Sequence, residues 1–567
     1  MTSITRRDFL YGGALAATTC ALPALPFAET GQRKPQPAAF ARIDDYVKQR
    51  LRELNAPGMI LAIADRNGPV YTGAYGFADL KTKTPVQAGH LFEIGSISKS
   101  FAAICALQLH EEGKLDLHKP IQDYLPWLQI DSGNVPITCH HLLSHTSGLP
   151  GWPPLQPRAP FQKLWVGFEP GTQYAYSNVG YQILGLVLEK LDAKNKPYFE
   201  SIRQRVLHPL HMMDTEAVIL DQNRPEIAVG YVSQMPGYIH PPGGPVAEAP
   251  WIQMTYASGS IASTAADMAK YMTMILNRGA APEGRILKPA SFDLMSSPVH
   301  AAPAWGYDAS YGYGMAVDHP NGHLRLRHTG GMVAFVNAIH LDLTDGLAAF
   351  ASTNCRLNEY RPNDIAAFAL EVMRAKNAGK PLPDLPAVYD QSVILNAAEY
   401  VGDYGFKVSA DGNKLYIKLS PDVSGALLRV GPDTFACQPV WAGPQPSRPL
   451  PPHLISFDRQ DGKVVELFLD GEWFPNERYS GPRTFDYPKE WDAFTGDYQN
   501  NDPWFGRARV LVSKGQLTMD GAVLMPLGGN LFRVGEESYS PERASFDVIA
   551  DGKAMRMNLS GQDFNRL

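Results

Sequence analysis

Charge, cysteine and long apolar runs are all scarce in this chain. Acidic and basic residues make up 19% of its 567 residues, with a formal net charge of -6. No basic stripe and no zinc-finger spacing is present, so the electrostatic footprint of a nucleic-acid partner is missing. No run of about eighteen apolar residues occurs, and stable membrane insertion of the mature chain is therefore not expected. The five cysteines, Cys20, Cys105, Cys139, Cys355 and Cys437, are scattered without a C-x-x-C pair. Nothing in their spacing predicts a disulfide, and Cys105, in an apolar segment, reads as a buried thiol.

What the chain does have is one serine followed three residues later by lysine, in Ser96-Ile97-Ser98-Lys99. The motif opens an apolar run to Leu109 that reads as a buried helix. Residues three apart share a helix face, which brings the Ser96 hydroxyl and the Lys99 amine within reach of each other. Apolar surroundings lower a lysine pKa, and a neutral amine can take the proton from a weakly nucleophilic hydroxyl. Two further motifs lie downstream. Tyr176-Ser177-Asn178 follows a Pro170-Gly171 turn and presents a phenol and an amide together. His328-Thr329-Gly330 follows the alternating run His323 to Arg327, a strand pattern, and ends in Gly330-Gly331, where a substrate backbone could approach closely.

S-x-x-K, then Y-x-N, then H-T-G, in that order, resembles the penicillin-recognising serine hydrolases. These include class C β-lactamases, D-alanyl-D-alanine carboxypeptidases, D-aminopeptidases and family VIII esterases. The likeness runs over roughly residues 40–375 and takes in Pro136 to Leu149 and Gly259 to Asp267. It implies Ser96 as nucleophile and Lys99 with Tyr176 as the proton-handling pair. Asn178, His328 and Thr329 are implied to bind substrate, and the backbone N–H groups of Ser96 and Gly331 to form the oxyanion hole. No cofactor and no metal is implied, and the partner is a small-molecule or peptide substrate. Most β-lactamases carry lysine where this chain has His328; an imidazole with an ordinary pKa near ~6.5 is mostly neutral at pH 7 and weakens a carboxylate clamp. That departure favours an amide- or ester-cleaving hydrolase acting on D-amino-acid-containing peptides, with an esterase or β-lactamase as the near alternative. A non-hydrolytic penicillin-binding sensor or peptidoglycan-binding protein is the alternative of another class.

Several look-alikes read as structural. Tyr498-Gln499-Asn500 repeats Y-x-N in a turn-rich C-terminal setting. His140 and His141 precede His145 at zinc-helix spacing, but the glutamate of H-E-x-x-H and a third ligand are missing. Thr264 with Asp267 fits a helix N-cap. Pro/Gly-rich stretches at 149–160 and 236–250 put Trp152, Tyr238 and Trp251 into loops, as candidate pocket walls.

The expected fold class is α+β. A β-lactamase-like catalytic domain at 38–376, an antiparallel sheet flanked by helices, begins with helical spacing from Phe40 to Leu54 and a hairpin turning at Arg66-Asn67-Gly68. A proline-rich linker covers 377–394. Beyond it Tyr400-Val401-Gly402-Asp403-Tyr404 recurs as Phe494-Thr495-Gly496-Asp497-Tyr498, and Ser456 to Lys463 recurs as Ser545 to Lys553. Alternating segments between these anchors predict two small antiparallel, lipocalin-like β-barrels at 395–484 and 488–567. A D-aminopeptidase-like arrangement implies barrels that shape the active-site entrance. At the other end, Arg6-Arg7 followed by the apolar stretch Tyr11 to Leu25 resembles a twin-arginine signal over residues 1–28, which implies a periplasmic or secreted protein. Oligomeric state is left open.

Overall fold

The computed structural model describes residues 37–151, 163–192, 196–358, 360–442 and 450–567. The expected signal segment and Trp152 lie outside the described residues. A nine-stranded antiparallel sheet organises the first half, with strands in the order 300–301, 310–311, 316–318, 325–331, 336–342, 347–353, 58–65, 68–79 and 84–85. Strand Gly58–Asp65 is apolar from Met59 to Ala64 because both of its faces are buried. Ile60, Ala62 and Ala64 face one core while Met59, Leu61 and Ile63 face another, as the two-residue period of a strand dictates.

Helices Ala38–Leu54 and Asn363–Asn377 cover the second of these faces, burying Ile43, Val47 and Leu51 against Ala366, Ala369 and Val372. The other face carries helices Ser98–Glu111, Asn178–Leu191 and Ala265–Leu276. Eleven of the fourteen residues of Ser98–Glu111 are buried, so this helix is the centre of its layer, as its unpatterned apolar sequence predicts. Phe101 stacks on Tyr271 with ring centroids 4.1 Å apart. The expected N-cap is present, with Thr264 Oγ1 accepting the Asp267 N–H at 3.2 Å.

After an irregular segment from Ala378 onward, two β-units follow. The first, strands Gly402–Asp403 to Glu472–Pro475, is an open half-barrel; the second, Gly496–Gln499 to Gln562–Arg566, is a closed eight-stranded barrel. The closed barrel's last strand pairs with its own first strand through Tyr498 with Arg566 and Gln499 with Asn565. Cys105, Cys139, Cys355 and Cys437 are free thiols, each buried. Among the described residues no helix is long and apolar enough to cross a membrane.

Candidate active site

Ser96 sits on a short 3-10 turn, Gly95–Ile97, immediately before the α-helix that begins at Ser98. The sequence pattern placed it on the helix itself. The tighter turn keeps the three-residue spacing and brings Ser96 and Lys99 onto one face. Gly95 is in the left-handed region at φ 51°, and a Cβ there would come within 2.8 Å of the Gly331 nitrogen and oxygen. The nucleophile turn and the end of strand Arg325–Gly331 are therefore in backbone contact. This close passage brings the residue before Ser96 against Gly331, and both Ser96 and Gly331 line the cleft.

Lys99 is fully buried. Its Nζ lies 2.9 Å from Ser96 Oγ and donates to Asn178 Oδ1 at 2.7 Å and to the Ser258 carbonyl at 2.7 Å. Burial drives its pKa well below the ordinary lysine value. With two N–H groups committed to Asn178 and Ser258, the lone pair of a neutral amine faces the serine hydroxyl. Tyr176 hydrogen-bonds Ser96 from the other side, and burial pushes its phenol pKa well up, so that it keeps its proton. The Lys99 ammonium position is 4.9 Å from the Tyr176 ring centroid. One group is thus tuned to accept a proton and the other to hold one, around the same hydroxyl.

Ser177 explains how a loop residue and a helix residue converge here. Its Oγ accepts the Gly180 N–H at 3.0 Å and caps helix Asn178–Leu191, so Asn178 starts the helix while Tyr176 stays outside it.

His328 is buried with both ring nitrogens in use. Nδ1 donates to the Thr329 carbonyl at 2.6 Å, which leaves Nε2 to accept from the Tyr311 hydroxyl at 2.9 Å. Burial, reinforced by Lys99, lowers its pKa to about 3. It lines the cleft as an uncharged ring beside Trp305, centroids 4.7 Å apart.

The cleft above Ser96 has a volume of about 840 Å³ and also takes in Asn178, Thr329 and Gly331. Sequence reasoning missed much of its wall. Arg356 and Arg361 come from the segment after strand Leu347–Thr353, and a Cβ on Gly331 would sit 3.0 Å from the Arg361 guanidinium. Trp504, Glu537, Tyr539 and Pro541 come from the closed barrel. The Pro541 carbonyl accepts Trp165 Nε1–H at 2.8 Å, and Glu542 accepts the Gly151 N–H at 2.5 Å. Tyr238 and Trp251, named from sequence as possible walls, line other hollows. The aromatic walls are Tyr174, Trp305, Trp504 and Tyr539 instead.

The look-alikes fall elsewhere. His141 Nδ1 closes a capping box with Thr138 and His140 Nδ1 pairs with the Tyr313 hydroxyl at 2.6 Å. Tyr498 is buried in the closed barrel.

The chain is similar to several known proteins. A beta-lactamase from Providencia stuartii is 32% identical over 35% of the chain and 53% of its own length. Penicillin-binding protein 4 of Amycolatopsis lactamdurans is 27% identical over 53% of the chain and 82% of its own. Esterase EstB of Burkholderia gladioli is 29% identical over 35% and 55%. The match thus spans only about half of two of these relatives. Among solved structures, the octameric penicillin-binding protein homologue from Pyrococcus abyssi has a similar fold, with a TM-score of 0.54 at 23% identity, covering 77% of this chain and 99% of that one. The Beta-lactamase family matches residues 43–372. The chain belongs to that family, within the penicillin-recognising serine hydrolases.

Proposed function

We propose that this chain is an exported serine hydrolase that cleaves amide bonds in short D-amino-acid-containing peptides through a Ser96 acyl-enzyme. The observation that carries the reading is Ser96 Oγ held 2.9 Å from a buried, neutral-prone Lys99 under an open cleft. Lys99 takes the hydroxyl proton as Ser96 attacks the acyl carbonyl. The Ser96 and Gly331 N–H groups receive the developing oxyanion, and Tyr176 passes a proton to the leaving amine. Water then attacks the acyl-enzyme by the same groups in reverse.

The charges around the cleft support a small zwitterionic substrate. Arg356 and Arg361 from the catalytic region and Glu537 from the barrel line one cavity. A short peptide with a free carboxylate and a free amine offers a counter-charge to each. Arg361 supplies near Gly331 the fixed cation that His328 lacks. Relatives named beta-lactamase, penicillin-binding protein and esterase support acyl transfer without choosing among leaving groups. The arginine pair Arg6-Arg7 supports export.

The test is turnover by the mature protein and its Ser96→Ala variant on a D-alanyl anilide, a short aryl ester and a chromogenic cephalosporin. We expect anilide hydrolysis that falls about a thousandfold or more in the variant. Ester-only turnover would make the chain an esterase, cephalosporin-only turnover a β-lactamase, and a stable adduct without turnover a penicillin-binding sensor. A variant as active as the wild type would overturn the Ser96 mechanism itself.

A further inference from the structure

His145 takes no part in the chemistry above, yet it grips the chain on both sides of Tyr176. Its main-chain carbonyl accepts the Ala175 N–H at 2.9 Å, and its ring Nδ1 accepts the Ser177 N–H at 3.1 Å. Between those two bonds its ring lies against the Tyr176 ring, centroids 4.2 Å apart. His145 itself is held at φ 57°, in the left-handed region that residues with a Cβ rarely adopt, a conformation that persists only where the surroundings over-determine it.

We propose that His145 is a positioning residue that fixes Tyr176 and Asn178 on Lys99 by serving as a permanent, uncharged hydrogen-bond acceptor. The inference rests on the acyl-enzyme reading of the site. Ser177, the residue His145 binds, is the N-cap of the helix whose first residue is Asn178, and Asn178 Oδ1 accepts from Lys99 at 2.7 Å. One imidazole thus sets the phenol on one side of Ser177 and the lysine's acceptor on the other.

The tautomer follows from the bond. A backbone N–H can only donate, so Nδ1 carries the lone pair and the proton sits on Nε2. Nε2 is buried and has no hydrogen-bond partner among the described residues. The ring is walled by Tyr181 and Tyr311, at centroid distances of 5.1 and 4.9 Å. An imidazolium here would point a donor at the Ser177 donor and place a buried charge beside Lys99, which must itself become a cation when it takes the serine proton. A residue that merely filled space would have no need of a lone pair at Nδ1.

Two variants separate the acceptor from the ring. His145→Asn puts an amide oxygen close to the Nδ1 position without the ring, and His145→Phe keeps a ring without the acceptor. In the intact mature protein, with thermal unfolding as the check on folding, we expect His145→Phe to lose about a hundredfold in kcat with KM little changed, and His145→Asn to stay within about tenfold of wild type. A Phe variant with wild-type kcat, or equal losses in the two, would overturn the proposal. Histidine-selective nitrogen-15 spectra of the wild type test it without relying on either variant to fold. The His145 resonance, assigned by its disappearance from the Asn or Phe spectrum or by its contact with Tyr176, must show a bare Nδ1 and a protonated Nε2; a proton on Nδ1 overturns the proposal. Full activity of Ser96→Ala would instead bring down the acyl-enzyme reading, which keeps the two failures distinct.

Discussion

Tyr400 in the half-barrel and Phe494 in the closed barrel hold the same place in the repeated sequence, and the groups around them show how one signature yields two closures. Each repeat ends in a tyrosine whose hydroxyl donates to the carbonyl four residues earlier, Tyr404 to Tyr400 at 3.1 Å and Tyr498 to Phe494 at 2.7 Å. Each has an Asp-Gly hairpin turn with both residues at positive φ, Asp461-Gly462 and Asp551-Gly552. Each uses an arginine on the residue after the aromatic, Arg478 on the Val401 carbonyl at 3.1 Å and Arg566 on the Thr495 carbonyl at 2.8 Å. The difference is that Arg566 sits on a strand that pairs with the first strand of its unit. Arg478 lies beyond the last strand of the half-barrel, Glu472–Pro475, and reaches back by its side chain alone. A ladder that closes on itself leaves no edge, and of the two units it is the closed one that adds residues, Trp504, Glu537, Tyr539 and Pro541 among them, to the lining of the catalytic cleft. A wall that must hold a substrate is better built on the stiffer of the two frames.

The largest expected effect breaks that closure. Arg566 donates to the carbonyls of Ala493, Thr495 and Ala554 and to the Tyr498 hydroxyl. Arg566→Ala strands several half-buried acceptors and should cost about 3 kcal/mol, read as a lowered urea midpoint. Arg478→Ala, which loses one carbonyl bond and a bond to the Tyr404 hydroxyl, should cost less, about 1 kcal/mol. Equal losses would show that backbone closure, not the arginine, separates the two units.

A middle-sized effect tests whether the closed barrel shapes the cleft or only adjoins it. Glu542 ties the barrel to the catalytic region through the Gly151 N–H and bonds Ser560 within the barrel. Glu542→Ala should raise KM for peptide substrates roughly tenfold, about 1.4 kcal/mol, with kcat for a small ester unchanged. An unchanged KM on both would make the barrel a bystander.

These contrasts also mark what the sequence could reveal. Ser96, Lys99, Tyr176, Asn178 and His328 stand in three short motifs, and the repeat after the linker is written in local turn chemistry, so both were legible residue by residue. The Thr264 cap was legible for the same reason. The cleft walls were not, because Arg361 and Glu537 come to the cleft that holds Ser96 only through long-range packing that leaves no periodic trace. The 3-10 turn at Ser96 was hidden too, since three-residue spacing fits both kinds of helix. Nor does sequence announce that the second unit closes and the first stays open: the same anchors appear in both, and the outcome turns on how far the last strand continues.

The smallest effect sharpens the comparison at its starting point. In the half-barrel the Tyr400 hydroxyl donates to Asp433, and Arg459 binds the same carboxylate through Nε at 2.9 Å and a terminal nitrogen at 3.0 Å. In the closed barrel Val548 stands where Arg459 does, 56% exposed, and Phe494 has no hydroxyl; it stacks on Phe546 at 4.6 Å instead. The half-barrel therefore carries a polar clasp where its sibling carries an aromatic stack. The Arg459 hydrogen bonds hold the Asp433 pKa below its ordinary value. A carboxyl whose folded pKa is depressed contributes stability above its unfolded pKa and loses it as the pH falls through the folded value. The clasp is partly open to solvent, which screens it, so Asp433→Asn should cost only about 0.5 kcal/mol at pH 7. That difference from wild type should begin to shrink as the pH falls below an ordinary carboxylate pKa of about 3.9 and vanish once the pH is below the lower, folded value. Urea unfolding of both proteins across that range reads it directly. A difference that persists in acid would mean that Asp433 acts through shape and neutral hydrogen bonding, and that the two units differ in packing alone.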